Sequence, residues 1–282
     1  MDRSSGGGLE RVTSLRSSAM STSDALDRFG LSPHQRAVAD RVIAEESAKR
    51  EHLVVYLSGA HAYGFPSPDS DLDLKSIHIA RTSALVGFDP PQPTYDRAEV
   101  IEGVEIDYTS NELAHVLSGI LNGNGNFLER VLGGTTIASL PELEELRPLV
   151  RATISRRVHR HYRGFAANQQ KLLEKDPTIK KLLYVLRTAL TGTHLLRTGE
   201  LETDLTRLAP AYDLREASEL VAAKRAGERV AAEPSLLEAW RPKVAQALER
   251  LDAARVRSVL PDEPREVEAL ERWLLAIRRA RF

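Results

Sequence analysis

The chain has 282 residues, of which 42% are hydrophobic and 28% charged, and its formal net charge is −1. This length can bury a sizeable core, and the balanced charge excludes a general attraction to nucleic acid, so any such contact must come from a local patch. Cysteine is absent, which excludes disulfides and thiolate zinc sites and fits the reducing cytoplasm, where we expect the protein to act. No apolar run approaches the length of a membrane span, so we expect no membrane partner.

The first segment is polar and lacks periodicity. Residues Met1 to Thr22 are rich in Ser, Gly and Arg, and we expect a disordered tail at residues 1–30. The segment lacks the apolar stretch of a signal peptide, and Met20 is an alternative start.

A helix is predicted next. Ser32 followed by Pro33 is typical of a capped helix start, and the pattern continues to about Lys49. The residues expected to face the core are Val38, Val42 and Ile43.

The most informative stretch runs from Leu53 to Ala80. The apolar run from Leu53 to Leu57 predicts a strand, and Ser58-Gly59-Ala60 predicts a turn after it. A second strand follows, and because strand side chains alternate, Asp71 and Asp73 should share one face. The residues expected to pack elsewhere are Leu72, Leu74, Ile77 and Ile79.

Asp71 and Asp73 predict a cation site. Two neighbouring carboxylates repel each other and are costly to bury unless a cation joins them. Mg²⁺ prefers oxygen ligands and commonly binds one or two carboxylates together with substrate phosphates. The upstream Gly59 would let the backbone approach a bulky anion such as a triphosphate.

Three other motifs with similar spacing are excluded. Gly59 and Gly64 are spaced as in a P-loop, but no lysine follows the second glycine. A dinucleotide-binding fingerprint needs glycine where His61 stands. A calcium-binding EF-hand loop needs glycine where Leu74 stands.

A third acid is predicted on a later strand. Residues 81–98 read as a loop, and Val100 to Thr109 as a strand whose alternation puts Glu105 and Asp107 on one face. Asp107 is the favoured third carboxylate, and Glu105 is the alternative. Three carboxylates from neighbouring strands are typical of a site for two metal ions, one activating the attacking oxygen and one stabilising the leaving group.

The second half of the chain predicts helices almost throughout. We therefore predict an α+β fold, with a mixed sheet and helices at residues 31–145 and an all-helical domain at residues 146–282. The predicted helices are Pro141–Val150, Thr153–Lys175, Thr178–Thr198, Asp213–Gly227, Ser235–Val259 and Pro264–Arg281.

Two helices of this half carry basic faces. Lys180, Tyr184 and Arg187 recur at helical spacing, and this face could bind phosphates while Tyr184 stacks on a base. The preceding helix repeats the spacing with Arg156, Arg160 and Arg163, for which a solvated basic face is an equal alternative. A basic groove facing the carboxylates would suit a nucleic-acid 3′ end.

These motifs resemble a known superfamily. Leu57-Ser-Gly-Ala-His-Ala-Tyr-Gly64 with Ser70-Asp-Leu-Asp73 is similar to the signature of DNA polymerase β-type nucleotidyltransferases. Further downstream, four sequence blocks resemble the RlaP or YcgL-like nucleotidyltransferases linked with RNA repair. The resemblance as a whole covers most of the chain from Leu53 to about Gly227. The four blocks are Glu105-Ile-Asp-Tyr-Thr109, Asn122-Gly-Asn-Gly-Asn-Phe-Leu-Glu129, His161-Tyr-Arg-Gly-Phe-Ala-Ala-Asn-Gln169 and Lys180-Lys-Leu-Leu-Tyr-Val-Leu-Arg187.

The resemblance implies roles for individual residues. Asp71 and Asp73 would bind two Mg²⁺ ions, for which Mn²⁺ could substitute, and Asp107 would bind the catalytic ion and help deprotonate an acceptor hydroxyl. Gly59 would approach the triphosphate. The superfamily usually has serine after this glycine, where the chain has Ala60. The missing hydroxyl would then come from Ser58 or Ser70.

The resemblance implies an enzyme that transfers a nucleoside monophosphate from an NTP to an acceptor hydroxyl and releases pyrophosphate. An RNA terminus is the favoured acceptor, and a small molecule or a protein side chain is the alternative. A third alternative is a non-catalytic nucleotide or RNA sensor with the same fold. The sequence identifies no protein partner.

Overall fold

The computed structural model describes residues 29–282, so the predicted tail lies, except for its last two residues, outside the described part of the chain. The first helix, α1 (Pro33–Ser47), begins as predicted. Ser32 accepts a hydrogen bond from the Gln35 backbone N–H and its own N–H donates to the Gln35 side chain, which forms a reciprocal cap.

A five-stranded mixed sheet forms the first half, in the spatial order β3-β4-β2-β1-β5. Only the β2–β4 pair is parallel, and the other three pairs are antiparallel. The strands are β1 (Glu51–Leu57), β2 (Leu72–Ile79), β3 (Thr94–Ile101), β4 (Val104–Glu112) and β5 (Thr136–Ser139).

Both faces of the sheet are covered. Leu72 and Leu74 are buried, as predicted, and pack with α1, whereas Ile77 and Ile79 belong to a different core on the opposite face. The prediction treated these four residues as one packing set. The structure separates them because a central strand is buried on both sides, so apolar residues occupy both alternation sets.

The region predicted as a loop and one strand is a β-hairpin. Strands β3 and β4 pair through Ile101 and Val104, and the turn residues Glu102 and Gly103 have φ angles of 50° and 83°. Positive φ at both positions matches the tight turns that suit hairpin twist. Residues 94–98, predicted as loop, therefore belong to a strand at the sheet edge.

Helices form the rest of the chain. Short helices α2 (Gly59–Ala62) and α3 (Thr82–Leu85) follow β1 and β2, and α4 and α5 lie between β4 and β5. The helices that follow β5, α6 to α12, confirm the predicted helical half, and α9 is a helix that was not predicted. The bounds of the longer helices are α4 (Leu113–Leu121), α5 (Gly125–Leu132), α6 (Glu142–Thr153), α7 (Val158–Lys175), α8 (Ile179–Thr198), α9 (Leu205–Ala211), α10 (Ala217–Lys224), α11 (Pro234–Val256) and α12 (Val267–Ala280).

The two halves share their hydrophobic cores. Tyr56 and Phe65 of the first half pack in one cluster with residues of α8, and Leu53 and Ile77 pack in another with residues of α8, α11 and α12. The predicted boundary between residues 145 and 146 falls inside α6. The structure thus confirms the α+β class, while the division into two domains stays a prediction. Within residues 29–282 no helix is long and apolar enough to span a membrane.

Candidate functional site

A cleft of about 1390 Å³ lies between the sheet and the helical half. Its sheet side includes Asp71, Asp73 and Glu105, and its helical side includes Lys180 and Tyr184. The cleft therefore brings Lys180 and Tyr184 of the helical half to face Asp71 and Asp73 of the sheet.

Strand pairing places the acids together. Strands β2 and β4 are parallel with Asp73 directly opposite Asp107, so both side chains project from the same face. Asp71 precedes β2 by one residue, and Glu105 acts on the Asp71 carboxyl through a side-chain hydrogen bond. Four acids, rather than three, thus cluster at the amino-terminal ends of two parallel strands.

The glycine after β1 makes room for one of these acids. Gly59 has a φ of +65°, and a Cβ at this position would lie 1.9 Å from Asp73 Oδ2. The Ser58 backbone N–H also donates to the Asp73 carbonyl at 2.8 Å. The close approach predicted for a triphosphate is therefore made, in this structure, by the Asp73 carboxylate.

The carboxylates carry excess negative charge. Burial, together with the charges of Asp107 and Asp71, raises the pKa of Asp73 to about 6. Burial, with Glu228 and Glu105 nearby, also raises the pKa of Asp71. Carboxyl groups with raised pKa values would gain stability in the charged form if a cation joined them.

A lysine that sequence reasoning overlooked sits among these acids. Lys75 Nζ lies 2.8 Å from Asp107 Oδ2 and 3.8 Å from Asp73 Oδ1, and it donates to the Asp107 carbonyl at 3.2 Å. Lys75 lies two residues after Asp73 and therefore on the same face of the strand as Asp71 and Asp73. The alternation that placed the two acids on one face would also have placed Lys75 there.

The residues fit a single Mg²⁺ better than a preformed pair of ions. Carboxylate oxygens of Asp71 and Asp73 suit a hard cation completed by substrate phosphates. However, within residues 29–282 no three acidic, histidine or cysteine side chains are arranged to hold a metal ion. Asp107 is instead paired with Lys75 through Oδ2, so a metal would have to share this carboxylate with the lysine.

Lys180 reaches the acids from the helical side. Its Nζ lies 3.7 Å from Asp71 Oδ2 and contacts the Glu228 carboxylate more closely. Burial alone would lower the pKa of Lys180, but the hydrogen bond to Glu228 and the charges of Asp71 and Asp73 raise it. Lys180 is therefore a charged amine that faces the cleft, where the prediction put it.

Tyr184 lines the cleft but is held by other rings. Its ring makes edge-to-face contacts with Tyr63 and Phe65, with centroids 5.6 and 5.7 Å apart. Because both contacts are part of the core, the predicted stacking of this ring on a base would require the ring to leave them.

Arg187 does not reach the cleft. Its side chain is 1% exposed and forms an ion pair with Glu129, which is 2% exposed, at 2.5 Å. Its guanidinium also lies 3.5 Å from the centroid of the Tyr63 ring. The prediction that Arg187 binds nucleotide conflicts with this position, because Arg187 lies two turns further along the same helical face, where the face packs against the core and not against the cleft.

The two serines proposed to replace the missing hydroxyl differ in position. Ser58 is half-buried at the start of α2, and its Oγ lies 3.4 Å from the Tyr63 hydroxyl. Ser70 is buried, and its Oγ donates to Glu228 Oε2 at 3.0 Å. Ser58 therefore remains the candidate for phosphate contact, whereas the hydroxyl of Ser70 is already used.

A buried network that the sequence did not predict fixes the loop before Asp71. Lys224 is fully buried and donates to Ser67 Oγ at 2.7 Å and to Glu228 Oε2 at 2.6 Å. The Glu228 backbone N–H donates to Asp69 at 3.1 Å. The i, i+4 spacing of Lys224 and Glu228 was the only available signal, and it is common on solvated helices.

The predicted arginine run forms a separate cavity of about 830 Å³, here called the arginine pocket. It shares no lining residue with the cleft, so Lys180 of the predicted basic groove borders the carboxylates, whereas the arginine run lines a different cavity. The residues lining it are Asn122, Arg156, Arg157, His159, Arg160, Arg163, Gly164, Arg255, Asp262 and Glu263.

Two known proteins are similar to this chain over much of its length. An uncharacterized protein of Methanocaldococcus jannaschii is 31% identical over 169 residues, which cover 57% of this chain and 68% of that protein. A crystal structure of a nucleotidyltransferase-like protein from Exiguobacterium sibiricum covers 86% of this chain and 79% of its own at 14% identity. Its TM-score of 0.31 is too low to support a structural argument.

A family described as the RNA repair pathway DNA polymerase beta family, RlaP, matches residues 35–276. The match spans the sheet, the cleft and nearly all of the helical half, and it confirms the resemblance drawn from the motifs. The chain belongs to the RlaP family of the DNA polymerase beta type.

Proposed function

We propose that this protein is a Mg²⁺-dependent nucleotidyltransferase that moves a nucleoside monophosphate from an NTP to an acceptor hydroxyl, with an RNA terminus as acceptor. The observation that carries the proposal is the register of β2 and β4, which sets Asp73 directly opposite Asp107, while Asp73 and Asp71 both line the cleft. The RNA acceptor is supported by the family, which is described as part of an RNA repair pathway.

In the proposed reaction the acceptor oxygen forms a bond to the α-phosphorus, and the bond from that phosphorus to the α–β bridging oxygen breaks. Pyrophosphate leaves with the electron pair, and the acceptor proton passes to a carboxylate. We assign this proton to Asp107, whose side chain is 54% exposed and thus open to an acceptor. Mg²⁺, when bound by Asp71 and Asp73, would neutralise phosphate charge.

The cations of the cleft have distinct roles in this proposal. Lys180 would face the developing charge on pyrophosphate from the helical wall, because its Nζ is already within 3.7 Å of Asp71. Lys75 would hold Asp107 in place before the ion and the acceptor enter. A second ion, as in two-metal enzymes, would have to share the Asp107 carboxylate with Lys75.

The test is incorporation of each labelled NTP into RNA with a free 3′-hydroxyl, in Mg²⁺ or Mn²⁺, with pyrophosphate release measured in parallel. DNA, protein and small-molecule extracts serve as the other acceptors. We expect incorporation into RNA that is lost in Asp73→Asn. Incorporation only into a small molecule or protein would reject the RNA acceptor and retain the transferase.

A non-catalytic nucleotide sensor is the second candidate. It is favoured by one observation, the Lys75–Asp107 ion pair, which places a cation of the protein at the proposed third carboxylate. Metal-dependent NTP binding without pyrophosphate release, whatever the acceptor, would select this candidate.

A further inference from the structure

The cleft by itself is a poor site for a nucleic-acid strand. Six acidic residues line it, against three basic ones, Lys180, Lys181 and Arg229. Nucleic-acid affinity comes mainly from neutralised backbone phosphates, and an acidic surface repels them. A bound Mg²⁺ would offset part of this charge, but only where the reacting phosphates lie. An acceptor strand therefore needs a basic surface elsewhere on the molecule.

The arginine pocket has the opposite balance. Five arginines line it, against the two acids Asp262 and Glu263. The guanidinium group is planar, always charged and able to donate two parallel hydrogen bonds to a phosphate. No aromatic ring apart from His159 lines the pocket, so it offers neither a stacking platform nor an apolar wall for a base. This composition fits the backbone of a strand rather than a free nucleotide.

Three of the arginines are already engaged. Arg156 contacts Asp262 at 2.9 Å and two backbone carbonyls, Arg157 pairs with Glu263, and Arg163 lies 3.2 Å from Asp252. These contacts hold the walls of the pocket in place. The acidic partners offset most of the positive charge of these three side chains.

Arg160 and Arg255 are not engaged. They are exposed, they come from α7 and α11, and neither guanidinium has a hydrogen-bond or ion-pair partner among the described residues. The first backbone N–H groups of α7 are bonded to the preceding turn, as between Val158 N–H and the Ser155 carbonyl at 3.2 Å. An anion in the pocket would therefore be bound by the two arginine side chains and not by the backbone N–H groups at the start of α7.

The position of the pocket relates it to the cleft. Helix α7 carries Arg160 in the pocket and Gln169 in the cleft. Nine residues of helix correspond to roughly 14 Å and about two and a half turns, so the two side chains lie on opposite sides of α7. A strand with its end in the cleft would have to pass around this helix to reach the pocket.

We propose that the arginine pocket binds the phosphodiester backbone of the RNA acceptor away from its reacting end, with Arg160 and Arg255 as the two contacts that bind phosphate. The inference rests on the proposed RNA acceptor. It assigns most of the strand affinity to the pocket and leaves the acidic cleft to bind only the end of the strand and the NTP.

The test measures binding of a labelled single-stranded RNA of about 15 nucleotides to the full chain, with chelator and without NTP. The variant is Arg160→Glu with Arg255→Glu. The matched control is Arg215→Glu with Arg279→Glu, which changes the net charge equally at two exposed arginines outside both cavities. We expect the affinity to fall at least about tenfold in the variant and less than twofold in the control.

The salt dependence gives a second measurement. Losing two phosphate contacts should reduce the slope of log affinity against log salt by about 1.4 for a single strand. Arg160→Gln with Arg255→Gln should give the same loss of slope and guards against a folding defect in the charge-reversed variant. An equal fall in variant and control, or no RNA binding by the unchanged protein at low salt, would overturn the proposal.

Two further outcomes separate related ideas. Complete displacement of the RNA by tripolyphosphate at equal phosphate concentration would make the pocket a small polyphosphate site and overturn the proposal. Because the assay needs neither metal nor NTP, it is independent of catalysis. Selective loss of RNA binding without any incorporation would support the pocket and reject the transferase, whereas RNA incorporation with unaffected binding would do the reverse.

Discussion

Helix α8 contributes a cation to two clusters of charged side chains, one open to solvent and one buried, and the two differ in function. At its start, Lys180 faces Asp71 and Asp73 in an open cleft where the acids outnumber the lysines and the pKa of Asp73 is raised to about 6, mainly by burial. Two turns later, Arg187 and Glu129 form a closed pair that excludes solvent. Carboxylates in excess of their cations, in a cleft open to solvent, can bind a metal ion or a substrate. A buried ion pair whose charges already neutralise each other has only a structural role.

The closed pair also supports the open group. The Tyr63 hydroxyl donates to Glu129 Oε2 at 3.2 Å and lies beside Ser58, and its ring covers the Arg187 guanidinium. Tyr63 ends the short helix that begins with Gly59. The buried pair therefore supports the turn that accommodates Asp73, and we expect damage to it to affect stability first and chemistry second.

The largest effect expected in the cleft follows from Asp73→Asn. Loss of one carboxylate from the proposed metal site should reduce NTP incorporation at least about 1000-fold, which corresponds to roughly 4 kcal/mol in the activation barrier. Initial rates in Mg²⁺ measure this, with Asp176→Asn as a control acid of the same cleft. Equal rates for Asp73→Asn and the unchanged protein would remove Asp73 from the site.

For the buried pair, the expected loss is in stability. Arg187→Met leaves Glu129 buried without a counter-charge and should lower the free energy of unfolding by about 3–5 kcal/mol. Urea unfolding measures the change, and adding Glu129→Gln should recover part of it. If Arg187→Met is stable but weakens NTP binding instead, Arg187 belongs with the cleft after all.

The stability of the metal-free protein should depend on pH through Asp73 in the open cleft. Because the pKa of Asp73 is about 6 in the folded protein, against an ordinary value of 3.8, folding favours its protonated form, and this contribution to stability is lost as the pH rises from about 4 to about 6. With chelator present, Asp73→Asn should therefore be more stable than the unchanged protein at pH 7 by roughly 1–2 kcal/mol, and equal to it at pH 4.

Urea unfolding at the two pH values measures this difference. The same gain at both pH values would mean that packing of the amide, and not relief of charge, is its cause.

The smallest effect concerns Lys75. Its amine competes with a cation for Asp107 and Asp73, so Lys75→Met should tighten Mn²⁺ binding about three- to tenfold by removing a like charge. Mn²⁺ titration followed by electron paramagnetic resonance measures this without NTP. Lys181→Met, a lysine of the cleft paired with Asp176, is the control. Weaker binding in Lys75→Met would mean that the lysine positions the ligands instead.

The local patterns in the sequence were sufficient for most of the scaffold and for the acids. The cap at Ser32, the buried strand ending at Leu57 and the shared face of Asp71 and Asp73 depend on alternation and capping, which neighbouring residues set. The hairpin turn at Glu102 and Gly103 was missed because the apolar pattern continues across it.

What the sequence determined by itself is the α+β order of elements, the carboxylate motif and the family. Alternation along β2 already puts Lys75 on the face of those acids, but only the tertiary structure decided which cations of the helical half meet them. Lys75 and Lys180 reach them, Arg187 turns into the core, and the arginine run faces away from the cleft, although all are basic residues at regular spacing. The reason is physical: periodicity fixes which residues share a face, but the partner of that face depends on how distant segments pack.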